Sequence, residues 1–193
     1  MTTIILAAGL SSRMGRNKLV LPYKESTVLE CTLETVKKTG SDILIVVGHD
    51  KERIEEIARR HHIRTVYNPN YEKGQKSSSM RGIEEVEDDF ALLPGDLPLV
   101  QAEDILRAFS ALEDAPTARS FHSGLPGHPV CYRKEIRDRL LSYPGTMKEF
   151  LMEVGTARVP SSIGSVFDID TPEKYQALLG SDDNPAILEK YLN

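Results

Sequence analysis

The chain has 193 residues, enough for one ordinary domain with a single large core. Charged residues make up 27% and hydrophobic ones 40%, and the net charge is −5, which argues against a general affinity for nucleic acid or an anionic membrane. Cys31 and Cys131 lack metal-ligand spacing and read as free thiols of a reducing, cytoplasmic compartment. The opening MTTIILAAG has neither the basic start of a signal peptide nor a run long enough to span a bilayer.

Short apolar runs alternate with helical patterns. Thr3–Leu6 reads as a buried strand that ends in Ala7-Ala8-Gly9. Val28–Lys38 places Leu29, Leu33 and Val36 at helical spacing, with Gly40 beyond its end. Asp42–Val47 is a continuous apolar run, as expected of a strand covered on both faces. Asp50 can cap a helix whose Ile54, Ile57 and Ala58 share a face. Ile63–Tyr67 is a third strand, followed by a polar loop over Asn68–Lys76. Ser77 or Ser78 is then the cap of a short helix carrying Met80, Ile83 and Val86. Phe90–Leu93 is a fourth strand, and a helix follows at Glu103–Leu112.

The second part is less regular. Strands are expected at Thr117–His122 and Pro129–Arg133, around a turn at Gly124–Gly127. Helices follow at Lys134–Ser142 and Met147–Val154, then a strand at Val166–Ile169 and a helix at Pro172–Leu179. Asn184-Pro185, a cap followed by proline, predicts a short helix in the tail. The alternation predicts an α/β fold: a doubly wound, mostly parallel sheet with helices on both faces, one domain over 1–180 with a tail over 181–193. Ligands in such sheets sit beyond the carboxyl ends of the strands, so the loops near Ala7, Gly48, Asn68 and Pro94 are the candidates.

The first of these loops, Leu6 to Lys18, is the strongest feature. Its small residues let backbone amides approach an anion, and Arg13, Arg16 and Lys18 add positive charge. It is neither a P-loop nor GxGxxG, and taken alone it is equally a surface turn with solvated basic residues. Asp96, just past a buried strand in Pro94-Gly95-Asp96-Leu97-Pro98, could bind a hard cation or simply close a turn. In Phe167–Glu173, Asp170 or Thr171 is a good helix cap before Pro172. The serines of Gly74–Gly82 could cap a helix or offer hydroxyls to a ligand. A histidine in a Gly/Pro segment, as His128 is, is more often structural than catalytic.

The pattern L-A-A-G-x-S-x-R-M-G-x-x-K over Leu6–Lys18 resembles the signature of nucleotidyltransferases of the molybdenum cofactor cytidylyltransferase and guanylyltransferase type. The resemblance implies a Rossmann-like fold of the nucleotide-diphospho-sugar transferase type. It implies that Leu6, Ala7, Ala8, Gly9, Arg13 and Lys18 bind a nucleoside triphosphate, with Arg13, Lys18 and Asp96 catalytic. Gly95-Asp96-Leu97-Pro98 matches G-D-x-P, which gives Asp96 to Mg2+. Asp168-Ile169-Asp170-Thr171-Pro172 matches D-x-D-T-P, with Asp170 favoured over Asp168 as second ligand. Gly74–Gly82 matches an element that would bind nucleotide through Ser77, Ser78 and Ser79, with Gly48, Asn68 and Gly95 in the same site. Gly127-His128-Pro129 matches G-H-P on the acceptor side, His128 orienting the acceptor and not acting as a base.

Two segments depart from the pattern. Pro144–Phe150 stands where many relatives carry G-D-x-G-A-R, and Leu97 stands where relatives often have Gln. The acceptor is therefore open. The reading implied is Mg2+-dependent transfer of CMP from CTP to a phosphorylated acceptor, molybdopterin carrying molybdenum, with a molybdenum apo-enzyme as recipient of the product. GTP is the second choice of nucleotide, and a sugar phosphate the second choice of acceptor. A non-catalytic cofactor carrier is the alternative from another class, against which the presence of both Lys18 and Asp96 counts. An NAD-linked oxidoreductase would need GxGxxG after the first strand, which is absent.

Overall fold

The computed structural model describes residues 1–182 and 184–192. The strands are β1 (Thr2–Ala7), β2 (Pro22–Tyr23), β3 (Ser26–Thr27), β4 (Asp42–Val47), β5 (Arg64–Tyr67), β6 (Phe90–Pro94), β7 (Thr117–His122), β8 (Leu125–Tyr132) and β9 (Ala157–Pro160). The helices are α1 (Val28–Lys37), α2 (Lys51–Arg60), α3 (Gln75–Ile83), α4 (Ala102–Ser110), α5 (Arg137–Leu141), α6 (Met147–Val154) and α7 (Pro172–Leu179). Seven strands form one sheet in the order β5-β4-β1-β6-β8-β7-β9, while β2 and β3 pair apart. Within the large sheet β8 alone runs against its neighbours. The expected mostly parallel sheet is present.

Sequence pattern explains the two-sided burial. In β4, Ile45 and Val47 join one core and Leu44 and Val46 the other. The first core receives Leu29, Leu33 and Val36 of α1, Ile54 and Ile57 of α2 and Ile105 of α4. The second receives Ile83 of α3, Leu140 of α5 and Phe150 of α6. α1 starts at Thr27, whose hydroxyl accepts from the Glu30 amide while the Glu30 carboxylate accepts from the Thr27 amide. Its fully buried apolar side chains stabilise by roughly 1.5–3 kcal/mol each.

A third, smaller core lies outside the layers. Met14, Tyr23, Val28, Phe167, Ile169, Tyr175, Leu178 and Leu188 share it. Leu188 comes from the tail, where Pro185–Tyr191 forms a 3-10 helix. Of the predicted tail, Asp183 and Asn193 lie outside the described residues.

Three expectations are corrected. Val166–Ile169 is not a strand: Phe167 and Ile169 do alternate inward, but into the third core, and their amides bond to Ile163 and Asp96 carbonyls instead of a neighbouring strand. The strand of this region is β9, parallel to β7, whose one buried side chain, Val159, gave too weak a pattern to read. α3 begins at Gln75, so Ser77 and Ser78 lie inside it and Gly74 holds the cap position. Finally, β8 reaches back to Leu125, through the predicted turn, leaving a two-residue hairpin loop at Ser123-Gly124.

Candidate functional site

The carboxyl ends of β1 and β6 and the starting end of the reversed β8 meet at one edge of the sheet. From β1 the chain enters the basic loop. A 3-10 turn over Ser12–Met14 buries Met14 and so fastens the loop to the third core. The Asn17 carboxamide accepts from the Leu19 amide at 3.0 Å and donates to Asp50 at 3.1 Å. The Lys18 amide donates to the Ser11 hydroxyl at 3.3 Å. These bonds fix where the Lys18 side chain leaves the backbone. Asp50 is thus occupied by Asn17 and gives its helix no side-chain cap.

Asp96 follows β6 on a backbone held from both sides. The Gly95 amide donates to the Leu6 carbonyl at 3.0 Å, and the Thr32 hydroxyl donates to the Gly95 carbonyl at 3.1 Å. The Ile169 amide donates to the Asp96 carbonyl at 3.2 Å, which brings the segment 168–170 alongside. Thr171 caps α7, with Pro172 in its first turn. The result gathers Asp96, Asp168 and Asp170, each with a carboxylate oxygen within 4.8 Å of the others'.

Three cations face these carboxylates. The Lys18 ammonium bonds Asp96 and lies 3.4 Å from Asp170. Arg13 reaches Asp170 at 3.0 Å, and Lys174 reaches Asp168 at 2.6 Å. Burial works to lower the Lys18 pKa, but the charge of Asp96, its hydrogen bond, and then Asp170 outweigh it and hold the ammonium protonated. For Asp170, burial works upward and Lys18 and Arg13 prevail, so its carboxyl is held below the usual range. Asp168 goes the other way: burial, with Asp96 and Asp170 nearby, raises it despite Lys174.

Above this cluster opens a cavity of about 580 Å³. Arg13, Lys18 and the three aspartates line one part of it, and Gly127 and His128 of β8 another. Gly127 has no room for a side chain: a Cβ there would lie 2.4 Å from the Ser165 carbonyl oxygen. Nδ1 of His128 is 3.4 Å from the Leu92 carbonyl, which can only accept, so this nitrogen carries the proton and Nε2 the lone pair. Burial first, then the charge of Arg119, pushes the His128 pKa down to about 4, and the imidazole is neutral near pH 7.

Residues 3–157 match the family model described as the MobA-like NTP transferase domain. The chain belongs to that family. It is a nucleotidyltransferase. Over 183 residues it is 30% identical to the molybdenum cofactor cytidylyltransferase of Escherichia coli, covering 89% of this chain and 92% of that one. It is 28% identical to the purine catabolism protein PucB of Bacillus subtilis, with the same coverage. The crystal structure of Rv0371c from Mycobacterium tuberculosis shares the fold, with a TM-score of 0.79 at 22% identity over 93% of this chain and 97% of that one. A structure of Rv0371c with manganese aligns with a TM-score of 0.76 at 20% identity, over 93% and 98%.

In this member of the MobA-like family, the cavity brings together Leu6, Ala8, Gly9, Arg13, Lys18, Ser78, Asp96, Gly127, His128 and Asp170 from the sequence-predicted set. Ala7, Gly48, Asn68, Ser77, Ser79 and Gly95 do not line it. Ala7 points into the first core. At Gly48 a Cβ would meet Tyr71 at 2.6 Å and Ala8 at 2.7 Å, so its bareness lets the β4 loop close on the β1 loop. Asn68 donates to the Ser77 and Ser78 hydroxyls at 2.9 and 3.0 Å and accepts from the Asn70 amide, tying the loop before α3. Ser79 bonds back to the Gln75 carbonyl. Tyr71, Glu72 and Gln75 line the cavity without having been singled out from sequence. Nothing in their spacing marked them; a 3-10 turn over Tyr71–Lys73 turns that loop toward the site.

Proposed function

We propose that this nucleotidyltransferase moves CMP from CTP to the phosphate of molybdenum-loaded molybdopterin and releases pyrophosphate. The observation that carries the proposal is the meeting of a basic, glycine-containing loop with three aspartates in one cavity. The likeness to the E. coli cytidylyltransferase over nearly the whole chain supports the nucleotide and the acceptor, as does the Ala7-Ala8-Gly9 start of the loop.

Three carboxylates converging within 4.8 Å are a donor set of the hard-oxygen kind that Mg2+ takes, and Asp96, Asp168 and Asp170 would hold it. When bound, such an ion supplies charge neutralisation at phosphate oxygens. The rest of the work falls to the chain's own groups. Lys18, kept protonated by its carboxylate neighbours, and Arg13 neutralise the charge that builds on the leaving pyrophosphate. A phosphate-ester acceptor, with a second pKa of about 6, is already a dianion near neutral pH and needs no strong base. His128, neutral and with Nε2 as acceptor, is suited to receive a hydrogen bond from the acceptor and fix its orientation. In-line approach is then a matter of positioning.

The test is pyrophosphate release from CTP, GTP, ATP and UTP in turn, with Mg2+ and molybdenum-loaded molybdopterin. Release from CTP alone is expected. Release from GTP alone would overturn the choice of nucleotide. Tight CTP binding with no release would favour the carrier reading.

A further inference from the structure

We propose that Arg119, with Arg158 beside it, binds the phosphate of the acceptor. This rests on the reading that the acceptor is a phosphate ester. The requirement is electrostatic: an incoming dianion meets the three carboxylates and the nucleotide's own phosphates, and its charge must be matched on the acceptor side. Arg13 and Lys18 are already committed to Asp96 and Asp170. His128 presents a lone pair and no charge.

Arg119 is an uncommitted cation bonded to the wall of this cavity. It lies on β7, half-buried, and its Nε donates at 3.1 Å to the carbonyl of Gly127, which lines the cavity. Among the described residues it makes no ion pair, so its terminal nitrogens keep their donors for a ligand. Half-burying a guanidinium without a carboxylate is costly, and burial lowers its pKa accordingly. Its charge also acts on His128.

Register supplies the second cation. Arg119 is the direct partner of Arg158 on the parallel strand β9, so both side chains leave the same face of the sheet. Arg158 also makes no ion pair among the described residues; its guanidinium stacks on Phe121, 3.9 Å from the ring centroid. Two like charges at registered positions repel unless an anion lies between them. A phosphate, with several acceptor oxygens, matches paired guanidinium groups.

The experiment measures binding of inorganic phosphate by calorimetry, with Mg2+ and a non-hydrolysable analogue of the best-binding nucleoside triphosphate filling the nucleotide side. Arg119→Gln is expected to weaken phosphate on the order of tenfold or more, and Arg158→Gln severalfold, with nucleotide affinity unchanged. Arg119→Lys should recover part of the loss. A thermal melt shows whether each variant is folded, and Arg158→Gln, at an exposed position, carries the test if Arg119→Gln is not. Phosphate binding that is absent in the parent, or equal in parent and variants, overturns the proposal. Failure of the CTP and molybdopterin reading would show instead as pyrophosphate release by the parent from another nucleotide or from none, whatever the phosphate titration gives.

Discussion

Lys18→Met separates two roles of one ammonium. In the structure this group bonds Asp96 and lies 3.4 Å from Asp170, with side chains only 19%, 9% and 17% exposed. At that range and an effective dielectric near 20, each contact is worth about 4–5 kcal/mol before desolvation. Desolvation offsets most of it, leaving roughly 1–2 kcal/mol net. Under the proposed function a divalent ion would take these same oxygens. Removing the ammonium should therefore tighten Mg2+ binding by about five- to thirtyfold, the same 1–2 kcal/mol expressed as a ratio. Turnover should move the other way, falling on the order of 10²-fold or more, as when one preorganised donor to developing charge is lost. Calorimetric Mg2+ titration and pyrophosphate release on the same preparation read the two effects. Near-normal turnover, or Mg2+ binding that weakens along with turnover, would refute the reasoning.

Asp96→Asn keeps the size of the side chain and removes its charge; pyrophosphate release should drop by about 10²–10³-fold, with nucleotide still detectable by equilibrium binding. His128 titrates near pH 4 in the fold and near 6.5 unfolded, so the unfolded chain takes up the proton first as pH falls. Stability is then highest above pH 6.5 and declines toward pH 4, by roughly 2–3 kcal/mol from this group. Urea unfolding across that window should show a shallower decline in His128→Gln. Gly127→Ala places a methyl 2.4 Å from the Ser165 carbonyl oxygen and 2.8 Å from Val166. That overpacking against backbone should cost about 1–3 kcal/mol in denaturant unfolding and raise the KM for the acceptor more than that for the nucleotide.

The parallel half of the fold was legible because its signals are local. The run Asp42–Val47 is typical of a strand buried on both faces, and the cap at Thr171 stands next to its helix. The basic loop and Asp96 were legible because each follows directly on a strand end. What escaped depends on contacts between distant residues. Phe167 and Ile169 alternate as a strand would, yet the alternation serves a core built from Met14, Tyr23 and Tyr175. The serines before Met80 read as caps, but Asn68, nine and ten residues away from Ser77 and Ser78, claims their hydroxyls. Asp168 ranked behind Asp170 on sequence; the bond from the Ile169 amide to the Asp96 carbonyl, together with the burial of Ile169 in the third core, sets both carboxylates beside Asp96.

The small third core ties together pieces that the sheet does not. Met14 belongs to the loop that carries Arg13 and Lys18, Ile169 lies between Asp168 and Asp170, and Leu188 comes from the far end of the chain. The basic and acidic halves of the site are therefore cross-braced through one set of apolar contacts, and the last stretch of chain is a strut in that brace. Thermodynamic linkage makes the coupling reciprocal. Whatever ligand draws the two halves together raises the free energy of peeling the terminal segment away, and whatever clamps that segment tightens the hold on the ligand by the same factor.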